Sequence, residues 1–142
     1  MEDLIREYFD LPQGSLKQYS PLTLAYIGDS IYALVVKTVI VEKGNCPANV
    51  LHKATVKYVS AAAQANIARY LMENNLLNDT ESDILRRGRN AKSPSTAKNA
   101  SVIDYRMATG LEALVGYLYL DGQQERMLEI IKKGMEHIEE NN

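Results

Sequence analysis

At 142 residues the chain is expected to form one domain over 1–142, long enough to bury a real core and too short for a second globular module. Hydrophobic residues at 46% and charged residues at 24% exclude a disordered chain, and Cys46, the only cysteine, excludes an intramolecular disulfide and a cysteine-rich zinc site. A net charge of −2 excludes a protein that grips nucleic acid with its whole surface.

The hydrophobic spacing is helical nearly throughout, so an all-α fold of about seven helices is expected. A short amphipathic helix covers about Glu2 to Phe9 and ends at the turn Leu11-Pro12-Gln13-Gly14. Ser20 reads as a cap with Pro21 at the first helical position, opening a long helix to about Glu42 before Gly44. Its apolar stretch, Leu22 to Val41, raises the question of a membrane span. Asp29 and Lys37 within it argue for a buried helix of a soluble protein instead, because an unpaired carboxylate in hydrocarbon is costly. No secretory leader is visible, so a cytoplasmic location is expected.

Pro47 opens a helix over about Ala48 to Tyr58, and Ser60 caps another to about Glu73, unless Ala61-Ala62-Ala63 lets the two run together. Asp79 or Thr80 starts a short helix ending near Arg87-Gly88, and Asn90 to Asn99 is a loop long enough to suggest function. Asn99 or Ser101 caps a long helix to about Leu120, stopped by Asp121-Gly122, and Gln123 to about Glu140 forms the amphipathic last helix.

Charge is segregated along this order. No acid occurs from Lys43 through Met72, where Lys43, Lys53, Lys57, Arg69 and His52 lie, nor from Ile84 to Ile103, where Arg86, Arg87, Arg89, Lys92 and Lys98 lie. One basic face on a mildly acidic body follows.

Two carboxylates stand out against this background. Asp29 is the one charge from Leu22 to Val36, and Glu112 the one charge from Leu111 to Leu120. An ionised carboxylate in a helix apolar on nearly all sides costs several kcal/mol unless a basic side chain or a metal ion partners it. For either acid alone, a narrow polar stripe or a nearby Lys or Arg is an equal explanation. Two such acids favour a shared cation, and Mg²⁺ accepts one or two carboxylates together with water and phosphate oxygens. Gly28 and Gly116 each lie near an acid, and a helical glycine costs ~1 kcal/mol against alanine. Close approach of the two helices is the natural reason.

These residues carry a resemblance. Leu24-Ala25-Tyr26-Ile27-Gly28-Asp29-Ser30 resembles the signature helix of the ribonuclease III family, and Leu111-Glu112-Ala113-Leu114-Val115-Gly116-Tyr117-Leu118-Tyr119-Leu120-Asp121-Gly122 resembles its second catalytic helix. Both blocks stand in the family's order, and the match covers essentially the whole chain. No length remains for a C-terminal double-stranded RNA-binding domain, so the chain most resembles the compact bacterial form, Mini-ribonuclease III. Its basic loop is similar to Arg86-Arg87-Gly88-Arg89-Asn90-Ala91-Lys92-Ser93, with Tyr105-Arg106 leading into the second helix.

The resemblance implies the ribonuclease III endonuclease fold, with Asp29 and Glu112 as catalytic residues and as ligands of Mg²⁺. It implies in-line attack of water on a backbone phosphate of double-stranded RNA, leaving 5′-phosphate and 3′-hydroxyl ends, by a homodimer with one site per chain. It also implies maturation of the large-subunit (23S) ribosomal RNA precursor, with a ribosomal protein on that precursor as a further partner. Larger members of the family carry two more acids, where this sequence has Ala25 and Thr109. Fewer direct carboxylate ligands are therefore expected.

Duplex RNA is read through phosphates and 2′-hydroxyls, which suits Arg86, Arg87, Arg89, Lys92 and Lys98, with His52, Lys53 and Lys57 as a second set. Two rivals remain. An all-α magnesium-dependent nucleotide pyrophosphohydrolase would need Glu-x-x-Glu pairs on core helices, but the only such spacing, Glu136 and Glu139, is on the polar face of the tail helix, which ranks this rival well below. A non-catalytic RNA-binding module gains weight from Ala25 and Thr109.

Overall fold

Local capping chemistry sets most helix ends in the computed structural model, which describes residues 1–92 and 101–141. The elements are α1 (Glu2–Tyr8), a 3-10 turn (Leu16–Gln18), α2 (Pro21–Lys43), α3 (Ala48–Val59), α4 (Ala61–Glu73), α5 (Asp79–Asn90), α6 (Val102–Leu120) and α7 (Gln124–Glu140), with no strand among the described residues. The all-α expectation holds. Ser20 and Ser101 each accept a backbone N–H three residues on, at 3.2 and 3.0 Å. Ser60 does the same for Ala63 at 3.2 Å, and so divides α3 from α4 despite the alanines that follow.

Helix α5 starts at Asp79 as expected but departs from expectation at its other end. Its cap is Asn78, which exchanges hydrogen bonds with Glu81 at 2.8 and 3.0 Å. It runs past Gly88 to Asn90. Gly88 is not a helix stop: a methyl there would lie 2.8 Å from the Ala113 side chain, so its smallness serves close packing on α6. Of the loop expected from Asn90 to Asn99, residues 93–99 lie outside the described residues, and with them Lys98.

Helix α6 is the axis of the fold, packed on by α2, α4, α5 and α7. Leu111, Leu114, Val115 and Leu118 are fully buried along it, each contributing about 1.5–3 kcal/mol by leaving water. Helix α6, apolar on nearly all sides, is accordingly buried along most of its length. Helix α2, expected as a buried helix, is buried on one side only. Leu24, Ala25, Ile31, Tyr32 and Val36 are buried, but Tyr26, Leu34 and Val41 are 80%, 50% and 52% exposed on its other side. Although α2 is apolar nearly all round, only the side facing α6, α3 and α5 is buried, and its other side is exposed. By length and composition α2 could cross a membrane; here it packs against α6, α3 and α5.

One buried ion pair fixes α5 to α7. Glu81, 2% exposed, takes two hydrogen bonds from Arg126, both at 2.8 Å, and Arg126 also donates to the Leu76 carbonyl at 2.8 Å. The Arg126 hydrogen bond, opposed by burial, holds the Glu81 carboxyl below its ordinary range.

Candidate active site

Helices α2 and α6 cross at Gly28 and Gly116. A methyl on Gly28 would overlap the backbone carbonyl of Glu112, and one on Gly116 would overlap the carbonyl of Leu24. Asp29 follows the first glycine on α2, and Glu112 lies one turn before the second on α6, so the crossing brings the two carboxylates together. Asp29 is exposed and Glu112 half-buried beneath it. Glu112 feels its partner both through a hydrogen bond and through its charge. Burial first, and then Asp29, push its carboxyl up to about 9. Without a cation, the pair therefore holds a proton at neutral pH.

A third group completes the pocket. On the buried side of α4, among Ala63, Ala65, Ile67, Ala68 and Leu71, stands Gln64, 3% exposed. Its amide Nε2 donates to the Val59 carbonyl at the end of α3, 3.0 Å away. The same carboxamide hydrogen-bonds toward Glu112 and draws its pKa back down in part. Its Oε1 is buried without a hydrogen-bond partner, a situation that costs about 1–3 kcal/mol. Sequence reasoning passed over Gln64. The available signal was one polar residue on the inward stripe of an alanine-rich helix. Tyr32, one turn beyond Asp29, is 1% exposed and donates to the Tyr58 carbonyl at 2.7 Å. Burial, then the neighbouring Tyr58 and Glu112, raise its pKa so that it stays a neutral phenol.

Ala25 is buried four residues before Asp29. Thr109 spends its hydroxyl on the Tyr105 carbonyl at 3.0 Å. Neither adds an oxygen ligand, and no cluster of three His, Cys, Asp or Glu occurs among the described residues. The donor set nevertheless suits a hard, hydrated divalent cation. Two adjacent carboxylates need a positive charge to ionise together, and the orphaned amide oxygen beside them needs a proton donor such as water. Asp29 and Glu112 are the residues placed to hold such an ion.

The cationic residues form two groups on different elements. Gly88 and Gly110 bring α5 against α6, where a methyl on Gly110 would lie 2.6 Å from the Leu85 carbonyl. This seats Arg87 and Arg89 on a helix that contacts α6 two residues before Glu112. Arg87 is exposed on a cleft with Lys17, and Lys92 is exposed just past the helix end. Arg86 pairs with Asp83 at 2.5 Å, and Arg89 is half-buried with its Nε toward Asn90, 3.3 Å away. His52, Lys53 and Lys57 are exposed on α3, which packs against α2, α4 and α7. They are not gathered with the α5 set, and Lys57 lies 5.5 Å from the Tyr58 ring centroid.

This arrangement has relatives. The Ribonuclease III domain matches residues 22–123, a span that contains both carboxylates and α5. The chain belongs to the ribonuclease III family. It is 52% identical over 130 residues to the Mini-ribonuclease 3 of Thermoanaerobacter sp. (strain X514), covering 92% of this chain and 90% of that one. It is 47% identical over 118 residues to the Mini-ribonuclease 3 of Staphylococcus aureus (strain NCTC 8325 / PS 47), covering 83% and 88%. The crystal structure of protein FN1578 from Fusobacterium nucleatum superposes with a TM-score of 0.76 at 29% identity, covering 86% of this chain and 96% of that one. As a member of the ribonuclease III family the protein is an endoribonuclease of the Mini-ribonuclease 3 kind. That family acts on double-stranded RNA, is generally dependent on a divalent metal and is generally dimeric.

Proposed function

We propose that this protein cleaves double-stranded RNA with Mg²⁺ held between Asp29 and Glu112, leaving 5′-phosphate and 3′-hydroxyl ends. The observation that carries the reading is the pairing of these two carboxylates at the Gly28–Gly116 crossing, one exposed and one beneath it. Bound there, Mg²⁺ would supply charge neutralisation at the scissile phosphate and activation of the attacking water.

The chain's own residues do the positioning. Asp29, on the solvent side, is open to an approaching phosphate. Glu112 gives up its proton when a cation enters, which couples site assembly to deprotonation. With Ala25 and Thr109 contributing no oxygen, water and substrate phosphate fill more of the coordination sphere. Arg87, Arg89, Lys92 and Lys98, and Arg86 once it leaves Asp83, take phosphates along the duplex backbone, with His52, Lys53 and Lys57 as the secondary set.

The protein works as a homodimer, each site cutting one strand, through the exposed apolar face of α2 that includes Tyr26 and Leu34. Its substrate is the precursor of large-subunit (23S) ribosomal RNA in the cytoplasm, presented with bound ribosomal protein. The test is incubation with long duplex RNA and single-stranded RNA, with Mg²⁺ or EDTA, followed by analysis of the product ends. Metal-dependent cutting of the duplex alone, with 5′-phosphate ends, is expected. Duplex binding without cutting would make the protein a non-catalytic RNA-binding module.

A further inference from the structure

The carboxamide of Gln64 is the one buried polar side-chain group among the described residues with an unpartnered atom, and it lies against Glu112. Its orientation is fixed. Nε2 donates to the Val59 carbonyl at 3.0 Å, and turning the amide over would set two oxygens against each other. Oε1 must therefore be the atom left over, an acceptor with no donor facing it. Asp29 and Glu112, once ionised, are acceptors as well. Three oxygen-bearing groups converge from α2, α6 and α4, and once the two carboxylates are ionised none of them can donate to the Gln64 Oε1. A cation carrying its own waters answers both needs, since the ion satisfies the carboxylates and its waters point O–H groups outward.

We infer that Gln64 is a positioning residue of the cation site, its N–H steadying the Glu112 carboxylate and its Oε1 accepting a hydrogen bond from a water of the hydrated ion. This rests on the reading of Asp29 and Glu112 as the cation's ligands. It gives the chain a neutral oxygen from a third helix where Ala25 and Thr109 withhold charged ones. Position 64 tunes how tightly the ion is held without adding to the site's negative charge.

The test is cation binding by the RNA-free protein, read as free Mn²⁺ by electron paramagnetic resonance with Mg²⁺ as competitor, alongside thermal unfolding in EDTA. Gln64→Met keeps the side chain's length and removes both polar atoms. It should weaken Mn²⁺ binding about 10- to 100-fold, the usual effect of losing an outer-shell partner. Its melting temperature in EDTA should fall little, because the orphaned oxygen goes with the amide. Gln64→Glu restores an oxygen at the same place and should bind Mn²⁺ at least as tightly as wild type. Unchanged Mn²⁺ affinity in Gln64→Met would overturn the inference and leave Gln64 as a cap on α3. If that variant does not fold, weaker binding by Gln64→Glu overturns it instead. Failure of the underlying reading looks different: wild type would then bind no Mn²⁺, or Asp29→Asn would bind it as well as wild type.

Discussion

Gly28 and Gly116 meet where α2 crosses α6, each occupying space in which a methyl would overlap the opposite backbone. Asp29 and Glu112 are neighbours because those two positions lack side chains. Gly28→Ala gains ~1 kcal/mol in helix propensity yet must push α2 off α6. A net loss of about 1–3 kcal/mol is expected, as for other overpacked cores. Duplex cleavage should fall more steeply than stability, since a small separation of the carboxylates disperses the site. Denaturant unfolding and a cleavage assay on one preparation check this. A stable and fully active Gly28→Ala protein would contradict the close crossing.

The Glu112 carboxyl gives the metal-free protein a distinctive pH dependence. It is raised from 4.5 to about 9 on folding, so between those values the folded state holds a proton that the unfolded chain has released. Its contribution is fully present below the lower value and is lost as pH rises through the upper one. In EDTA, the wild-type melting temperature should therefore drop relative to Glu112→Gln from about pH 5 to about pH 9. Parallel profiles would show that Glu112 titrates normally.

The ion pair between Glu81 and Arg126 is a stability element rather than a catalytic one. Arg126→Met strands a nearly inaccessible carboxylate and should cost about 3–5 kcal/mol, with the double variant Glu81→Leu/Arg126→Met recovering part of it. Urea unfolding of the three proteins measures this. A loss below about 1 kcal/mol in the single variant would mean that water reaches Glu81.

Arg87 is exposed with no ion pair among the described residues, whereas Arg86 is paired with Asp83. Arg87→Ala should thus weaken duplex binding more than Arg86→Ala. Replacing Arg86, Arg87, Arg89 and Lys92 together should flatten the salt dependence by about one logarithmic unit per lost phosphate contact. Binding isotherms across salt concentrations decide it, and an unchanged slope would move the RNA surface off α5.

Much of this fold is legible in the sequence because its helix ends are written locally. Ser20-Pro21, Ser60, Ser101 and Asp121-Gly122 each act within a few residues of themselves. The two carboxylates are legible for a related reason, since a lone charge in an apolar helix demands a partner wherever the chain folds. What is not legible depends on distant partners. Gln64 looks like an ordinary helix residue until α6 sets Glu112 beside it, and Glu81 is buried by an arginine 45 residues away. Gly88 reads as a stop because its packing role against Ala113 is tertiary. The exposed side of α2 is invisible for the opposite reason, as its apolar residues are the same whether its own core or another surface covers them.

The central claim is that Asp29 and Glu112 together form the cutting centre. Its most direct measurement is the single-turnover rate of duplex RNA cleavage in Mg²⁺ by wild type, Asp29→Asn and Glu112→Gln, with RNA affinity measured on the same samples. Each variant should lose more than about 100-fold in rate, beyond what an outer-shell partner costs, while binding duplex RNA nearly as well as wild type. Cleavage at the wild-type rate by either variant would contradict the account.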